Sequence, residues 1–226
     1  FIEIASAGNA QDFGDLRAAS YAPATAASPT RMLAMGGGNP SSFFDYIDFV
    51  EIATTGNAQD FGDMSTNRNQ NTGVSSNTRA VAMGGARSPA LTNVMDFVTI
   101  ATTGDATDFG DLTQKRRFAA GGGNATRGIF ASGYSGAPAG SNIIEFVTIA
   151  STGDGVDFGD MTVIATYTGG SSSSPTRMCV YDSSSPSVKS IEKIEIVTTG
   201  NGVDFGDTDV AHYAGGSGSS NGHGGL

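Results

Sequence analysis

Tryptophan is absent from the 226 residues, cysteine occurs once, and 12 basic side chains stand against 22 acidic ones. Each shortage excludes something. With Cys179 alone no intrachain disulfide can form, so cohesion has to come from packing. A formal charge of −10 opposes electrostatic capture of phosphate backbones and anionic lipid, so nucleic acid is not an expected partner. No run of 18 apolar residues occurs and the N-terminus lacks a basic-then-apolar pattern, so neither membrane insertion nor a signal peptide is expected. The only two histidines, His212 and His223, lie among Gly and Ser without a third ligand at metal spacing. No metal centre or cofactor is expected from them.

What the chain has in abundance is glycine, 33 residues of it, together with 13 Phe and one phrase that recurs. Asp-Phe-Gly-Asp stands at 12–15, 60–63, 108–111, 157–160 and 204–207, in steps of 47 to 49 residues. A fixed period of that length means one supersecondary unit copied along the chain, each copy needing a neighbour to cover its apolar surface. The repeat runs from end to end, so residues 1–226 read as a single domain. Phe1 aligns with Phe97 and Phe146, inside a repeat element, and there is no initiator Met. The expectation is a processed product or the ordered part of something longer.

Within one copy, 126–134 reads as a strand and 135–141 as a Gly, Ala, Pro and Ser loop. The next segment, 142–150, carries Ile, Val, Phe and Thr on both alternating faces, the pattern of a strand covered on two sides. Ser151 to Asp154 supplies turn chemistry, a third strand spans 156–163 around Phe158, and a less regular fourth segment covers 164–174. Short antiparallel strands, about 48 residues per unit and burial on both faces are the properties of a propeller blade. The expected fold is all-β, a β-propeller of four-stranded blades. Five blades are expected, with the ring closed by N- and C-terminal strands, because the early strand of a last blade falls at the C-terminus and its later strands at the N-terminus. A trimeric β-fibre of long repeats is the alternative architecture.

The recurring positions are Phe13, Phe61, Phe109, Phe158 and Phe205, read as packing between blades, and the arginines of the Thr-Arg pairs, Arg31, Arg79, Arg127 and Arg177. Each arginine is expected to pair with an Asp-Phe-Gly-Asp carboxylate of its own or the next blade. The fourth copy is divergent: Tyr181-Asp182 stands where the others end in Gly36-Gly37, Gly84-Gly85 or Ser132-Gly133.

Arg127-Gly-Ile-Phe-Ala-Ser-Gly-Tyr, then Ile144-Glu-Phe-Val-Thr-Ile-Ala150, then an aromatic before a closing turn resembles the kelch motif, with Phe158 where that family usually has Trp. The fuller phrase Ile100-Ala-Thr-Thr-Gly-Asp-Ala-Thr-Asp-Phe-Gly-Asp-Leu112 resembles kelch-like repeat proteins of marine tailed phages, cyanophages above all. The resemblance covers essentially the whole chain. It implies a β-propeller in a virion or tail fibre, located on the particle or outside the cell, with other virion proteins or a host-surface glycan as partners. A homo-oligomer is compatible with it.

No enzyme is expected. An active site needs unlike groups with separately tuned pKa values, whereas these carboxylates recur in equivalent surroundings. Asn57, Asp60 and Asp63, or Asp105, Asp108 and Asp111, offer oxygens for Ca²⁺, but the spacing is not that of an EF-hand loop, and turn residues bonding backbone N–H groups is the preferred reading. Cys179, in an apolar strand, reads as a buried, inert thiol. The runs Gly36-Gly37-Gly38 and Gly121-Gly122-Gly123 read as turns, not phosphate loops. Loops at 39–44, 86–92, 135–141 and 183–189 vary freely at one equivalent position and are expected to project from one face, with Phe43, Phe44 and Tyr134 available to a glycan or a protein. The expected function is a non-enzymatic structural or adhesion module of a virion. The alternatives are a multivalent lectin and, further off, a polysaccharide-active enzyme.

Overall fold

A computed structural model describes residues 1–3, 7–87, 89–136, 140–183 and 188–212. Every regular element among them is a strand, and 16 of the strands form four antiparallel sheets of four. The first sheet orders Ala24–Ala27, Arg31–Met35, Tyr46–Glu51 and Gln59–Asp63 side by side. The second repeats it with Thr72–Ser75, Arg79–Met83, Val94–Thr99 and Thr107–Asp111. The third uses Ala120–Gly123, Arg127–Ala131, Ser141–Thr148 and Val156–Ala165, the fourth Tyr167–Ser173, Arg177–Ser183, Val188–Glu195 and Val203–His212.

The segment that looked least regular in sequence leads each sheet and forms its inner strand. Inner strands of successive sheets lie against one another, and all four line one central cavity of about 600 Å³. The sheets therefore stand around an axis like the blades of a propeller. Three apolar clusters fill the spaces between faces. One joins Leu33, Met35, Ile47 and Phe61 to Ala80, Ala82, Val98 and Ile100 of the second sheet. A second joins Val81, Met83, Met95 and Phe109 to Phe130, Val147 and Ile149, and a third Ile129, Ile144 and Phe158 to Met178, Val180, Ile194 and Ile196. The second and third sheets are each covered on both faces by their neighbours, which explains why their third strands are apolar on both alternating faces. Full burial of one such side chain contributes about 1.5–3 kcal/mol, so stability is spread along the junctions between sheets.

Gly121-Gly122-Gly123 is part of an inner strand rather than a turn. A Cβ on Gly121 would stand 2.1 Å from Thr72 Cγ2, and one on Gly122 would stand 2.6 Å from Ser173 Oγ. Near the axis the strands crowd together and only glycine fits, which overrides its weak strand propensity.

Four complete sheets appear where five blades were expected. The N-terminal residues nevertheless form the later half of another unit. Phe1 and Gln11 exchange backbone hydrogen bonds of 2.7 and 2.8 Å, just as Phe49 pairs with Gln59 and Phe97 with Thr107. Phe1 meets Phe13 edge-on at 6.0 Å, as Phe49 meets Phe61 at 5.9 Å. The C-terminal strand expected to complete this unit lies in 213–226, outside the described residues.

Candidate functional site

Four groups of residues are brought together by the ring: the junction turns, a buried acid in each sheet, the cavity lining, and an aromatic cluster at one end of the ring.

The junction turns explain why Asp-Phe-Gly-Asp recurs. Phe13, Phe61, Phe109 and Phe158 offer their carbonyl oxygens to the N–H groups of Gly56, Gly104, Gly153 and Gly200 of the next unit, at 2.7–2.8 Å. The second Asp then donates its N–H to a side chain in that turn: Asp15 to Asn57, Asp63 to Asp105, Asp111 to Asp154 and Asp160 to Asn201. The glycine between has φ near +140° and touches the neighbouring glycine's backbone, so a Cβ on Gly62 would stand 2.5 Å from Gly104. Phe61, Phe109 and Phe158 are only 2–3% exposed, as the packing reading requires, whereas Phe205 is 58% exposed. Asn57 and Asp105, once weighed as Ca²⁺ ligands, accept these backbone bonds. Among the described residues no group of three acids, His or Cys could hold a metal ion.

The Thr-Arg arginines bind elsewhere than expected. Arg31 pairs with Glu51 at 2.7 Å and donates to the carbonyls of Ile100 and Ala101 in the next sheet. Arg79 donates to Ile149 and Ala150, and Arg127 to Ile196. Their guanidinium groups lie over Phe49, Phe97 and Phe146 at 4.5–4.7 Å. The Asp-Phe-Gly-Asp carboxylates are not their partners, because strand register opposes Arg31, Arg79 and Arg127 to Glu51, Thr99 and Thr148, with the Phe ring two positions along the same strand and within reach. Arg177 pairs with Glu195, at 2.8 Å on the surface.

A buried acid recurs one residue before that position, which is Phe in the first three sheets and Lys193 in the fourth: Asp48, Asp96, Glu145 and Glu192. In every sheet it accepts the backbone N–H two residues past the preceding Asp-Phe-Gly-Asp: Arg17, Ser65, Thr113 and Thr162 respectively. Three of the four acids also meet an arginine, through Arg17 with Asp48, Arg68 with Asp96 and Arg116 with Glu145. Arg68 and Arg116 are 0% exposed. Burial pulls both guanidinium groups below the ordinary arginine value and the facing carboxylate pulls each back up. These pairs were not anticipated. The signal was an acid at repeat spacing inside an otherwise apolar strand, followed by Phe.

The fourth sheet departs from this pattern. Ala165 stands where Arg68 and Arg116 stand, and the buried Asp182 faces Glu192. Among the described residues neither Asp182 oxygen accepts a bond in full hydrogen-bond geometry, although the Ser190 side chain lies close enough to favour the ionised carboxylate. Burial, then the neighbouring Glu192, pushes the Asp182 carboxyl up to about 8.

The cavity lining is neutral. Thr25, Thr72, Ser75, Thr168, Ser171 and Ser173 alternate with Ala and Gly. Much of this polarity is committed to joining inner strands: Thr72 to Ala119 O, Ser75 to Ala27 O, Thr168 to Phe118 O and Ser171 to Gly121 O. Backbone bonds step round the mouth from Gln70 N to Ala22 O, Phe118 N to Gln70 O and Thr168 N to Phe118 O. Ala22, Gln70 and Phe118 hold φ of +53° to +57° there.

At the same end, residues 21, 69 and 117 pair with the starts of the variable loops. The loops of the first two sheets form short ladders, Gly38–Asn39 with Ser42–Phe43 and Ala86–Arg87 with Ala90–Leu91. Arg117 sits 5.2 Å from the Phe118 ring and 4.8 Å from that of Tyr134, and donates to Gln70 at 2.9 Å. Phe118 also meets Tyr167 at 4.8 Å, and Phe44 stacks on Tyr46 at 5.1 Å. Cys179 is a half-buried free thiol. His223 and parts of the last two loops lie outside the described residues.

No protein-family model matches the chain, and no curated protein matches it at a significant level.

Proposed function

We propose that this chain is a non-enzymatic structural or adhesion module, a propeller carried on a virion as a fibre, decoration or host-contact protein. The observation that carries this reading is how the recurring polar residues are used. The Asp-Phe-Gly-Asp turns, the Thr-Arg arginines and the buried acids all fasten one sheet to the next, and loops of free sequence are left at one end. That division of labour suits a rigid display platform. The phage kelch-like resemblance supplies the setting, and the acidic surface argues for protein or neutral glycan partners over nucleic acid. Immunogold labelling of native particles with an antibody to this chain tests the reading. Label on the fibre or capsid surface is the expected result, and label confined to host cytoplasm overturns it.

A second reading, a glycan-binding lectin, is favoured by the Arg117, Phe118, Tyr134 and Tyr167 cluster beside the cavity mouth, because aromatic faces flanked by hydrogen-bond donors suit sugar rings. A glycan array probed with the intact chain tests it. Binding that falls at least tenfold in Tyr134→Ala supports it, and a blank array removes it.

A further inference from the structure

Four junctions between consecutive units are built from the same three hydrogen bonds. The Phe carbonyl accepts from a turn glycine, the second Asp N–H donates to the Asn or Asp after that glycine, and the second Asp carbonyl accepts from the residue after that. At the first junction these are Gly56 N to Phe13 O, Asp15 N to Asn57 Oδ1 and Ala58 N to Asp15 O, at 2.8, 3.0 and 2.8 Å. At the fourth they are Gly200 N to Phe158 O, Asp160 N to Asn201 Oδ1 and Gly202 N to Asp160 O, at 2.8, 3.0 and 2.8 Å.

Each half of this junction is left uncovered once. At the far side of the fourth sheet, Phe205-Gly206-Asp207 presents the accepting half. A Cβ on Gly206 would meet nothing within 4 Å, although the same atom on Gly14, Gly62, Gly110 or Gly159 would strike a neighbouring glycine at 2.3–2.5 Å. Phe205, Val203 and Val210 are exposed beside it. At the near side of the first sheet, Gly8-Asn9-Ala10 repeats the sequence of Gly56-Asn57-Ala58, and Ala10 is exposed where Ala58 is buried.

We infer that these two faces dock on each other within one chain, Gly8 N on Phe205 O, Asp207 N on Asn9 Oδ1 and Ala10 N on Asp207 O, so that a fifth junction closes the ring. The inner strands of the first and fourth sheets already line the same cavity, so the N-terminal unit, fastened to the first sheet through Arg17 and Asp48, is carried round toward the fourth. Tethering gives it an effective concentration that a second copy in dilute solution does not reach. Docking would also cover the one recurring Phe ring left in water. The arrangement is heterologous, so if the same faces met between chains they would propagate head to tail rather than stop at a dimer.

The test is oxidation of Asn9→Cys/Asp207→Cys in a Cys179→Ser background, beside Asp15→Cys/Asn57→Cys as the reference junction. A monomeric intrachain disulfide whose yield matches the reference and does not change with protein concentration is expected. A reducible ladder of oligomers that grows with concentration would show a second copy on this face and overturn the inference. Thiols that stay free while the reference pair oxidises would overturn it as well. Hydrogen exchange of the unsubstituted chain gives an independent readout: protection of Gly8 and Asp207 N–H within about tenfold of Gly56 and Asp63 is expected, and exchange at unprotected rates refutes docking.

Discussion

The third and fourth sheets follow one plan and part company at one buried acid. Glu145 of the third accepts the Thr113 N–H and faces the guanidinium of Arg116. Glu192 of the fourth accepts the N–H groups of Thr162 and Val163, but no arginine reaches it, and Asp182 occupies its surroundings instead. The constant part is the carboxylate holding the chain where it leaves the preceding unit. The variable part is the group that faces it: a half-exposed Arg17, a fully buried Arg68 or Arg116, and in the fourth sheet the protonated carboxyl of Asp182. Where the cation is lost, the proton on Asp182 keeps a second buried charge from facing Glu192.

Removing the cation from the third sheet without removing the acid breaks the comparison most severely. Arg116→Met leaves Glu145 buried and uncompensated and is expected to cost about 3–5 kcal/mol in urea unfolding. Arg116→Met/Glu145→Leu should cost less than the single change, since no buried charge remains; the Thr113 N–H and the Ser132 carbonyl lose their partners, at about 1–3 kcal/mol each. A loss below about 1 kcal/mol for Arg116→Met would mean that the guanidinium does not offset the acid.

The fourth sheet sharpens the comparison through pH. Asp182 holds its proton in the folded chain up to about 8, whereas unfolding returns it to the ordinary aspartate value near 4. Between those limits the folded state binds the extra proton, so stability falls as pH rises, with a steepest slope of about 1.4 kcal/mol per pH unit. Asp182→Asn keeps the shape without the titration and should flatten the slope, leaving the variant more stable than the parent at pH 8. Unfolding midpoints measured from pH 5 to 8 check this, and parallel curves for the two proteins would refute it.

The axis allows a smaller test between the same two sheets. Gly121→Ala in the third puts a methyl group against Thr72 and should cost about 1–3 kcal/mol by overpacking. Ser171→Ala in the fourth removes only the bond to Gly121 O and should cost about 0.5–1.5 kcal/mol. Thermal melts that reverse this order would mean that the inner strands are not closely packed.

The strand pattern, the ring and the packing of Phe61, Phe109 and Phe158 were legible because period and alternation report burial directly. The inner strands were less so. Ala120–Gly123 has turn composition, and only the crowding at the axis, a property of other repeats, makes it a strand. The arginine partners were misread for a similar reason: sequence spacing shows that Arg and Asp recur together, but strand register decides which side chains lie side by side. The buried acids were visible as acids in apolar strands, yet their partners Arg68 and Arg116 lie in connecting segments where a basic residue ordinarily means exposure.

The mildest contrast is at the outer surface. Arg127 lies over Phe146 at 4.7 Å and reaches Ile196 O in the next sheet. The fourth sheet puts Lys193 where Phe146 stands, so among the described residues Arg177 has no aromatic beneath it and keeps its exposed pair with Glu195. Exposed pairs of this kind contribute about 0–1 kcal/mol and weaken with salt, whereas an arginine over an aromatic face gains about 0.5–1 kcal/mol at an exposed site. Arg177→Ala should therefore be close to neutral in 0.5 M NaCl. Lys193→Phe should stabilise the chain by about 0.5–1 kcal/mol through the new ring contact, and Lys193→Phe/Arg177→Ala should lose that gain. A double-mutant cycle with no coupling between the two positions would show that the Phe positions serve packing between sheets alone and that the arginine stacking in the first three sheets is incidental.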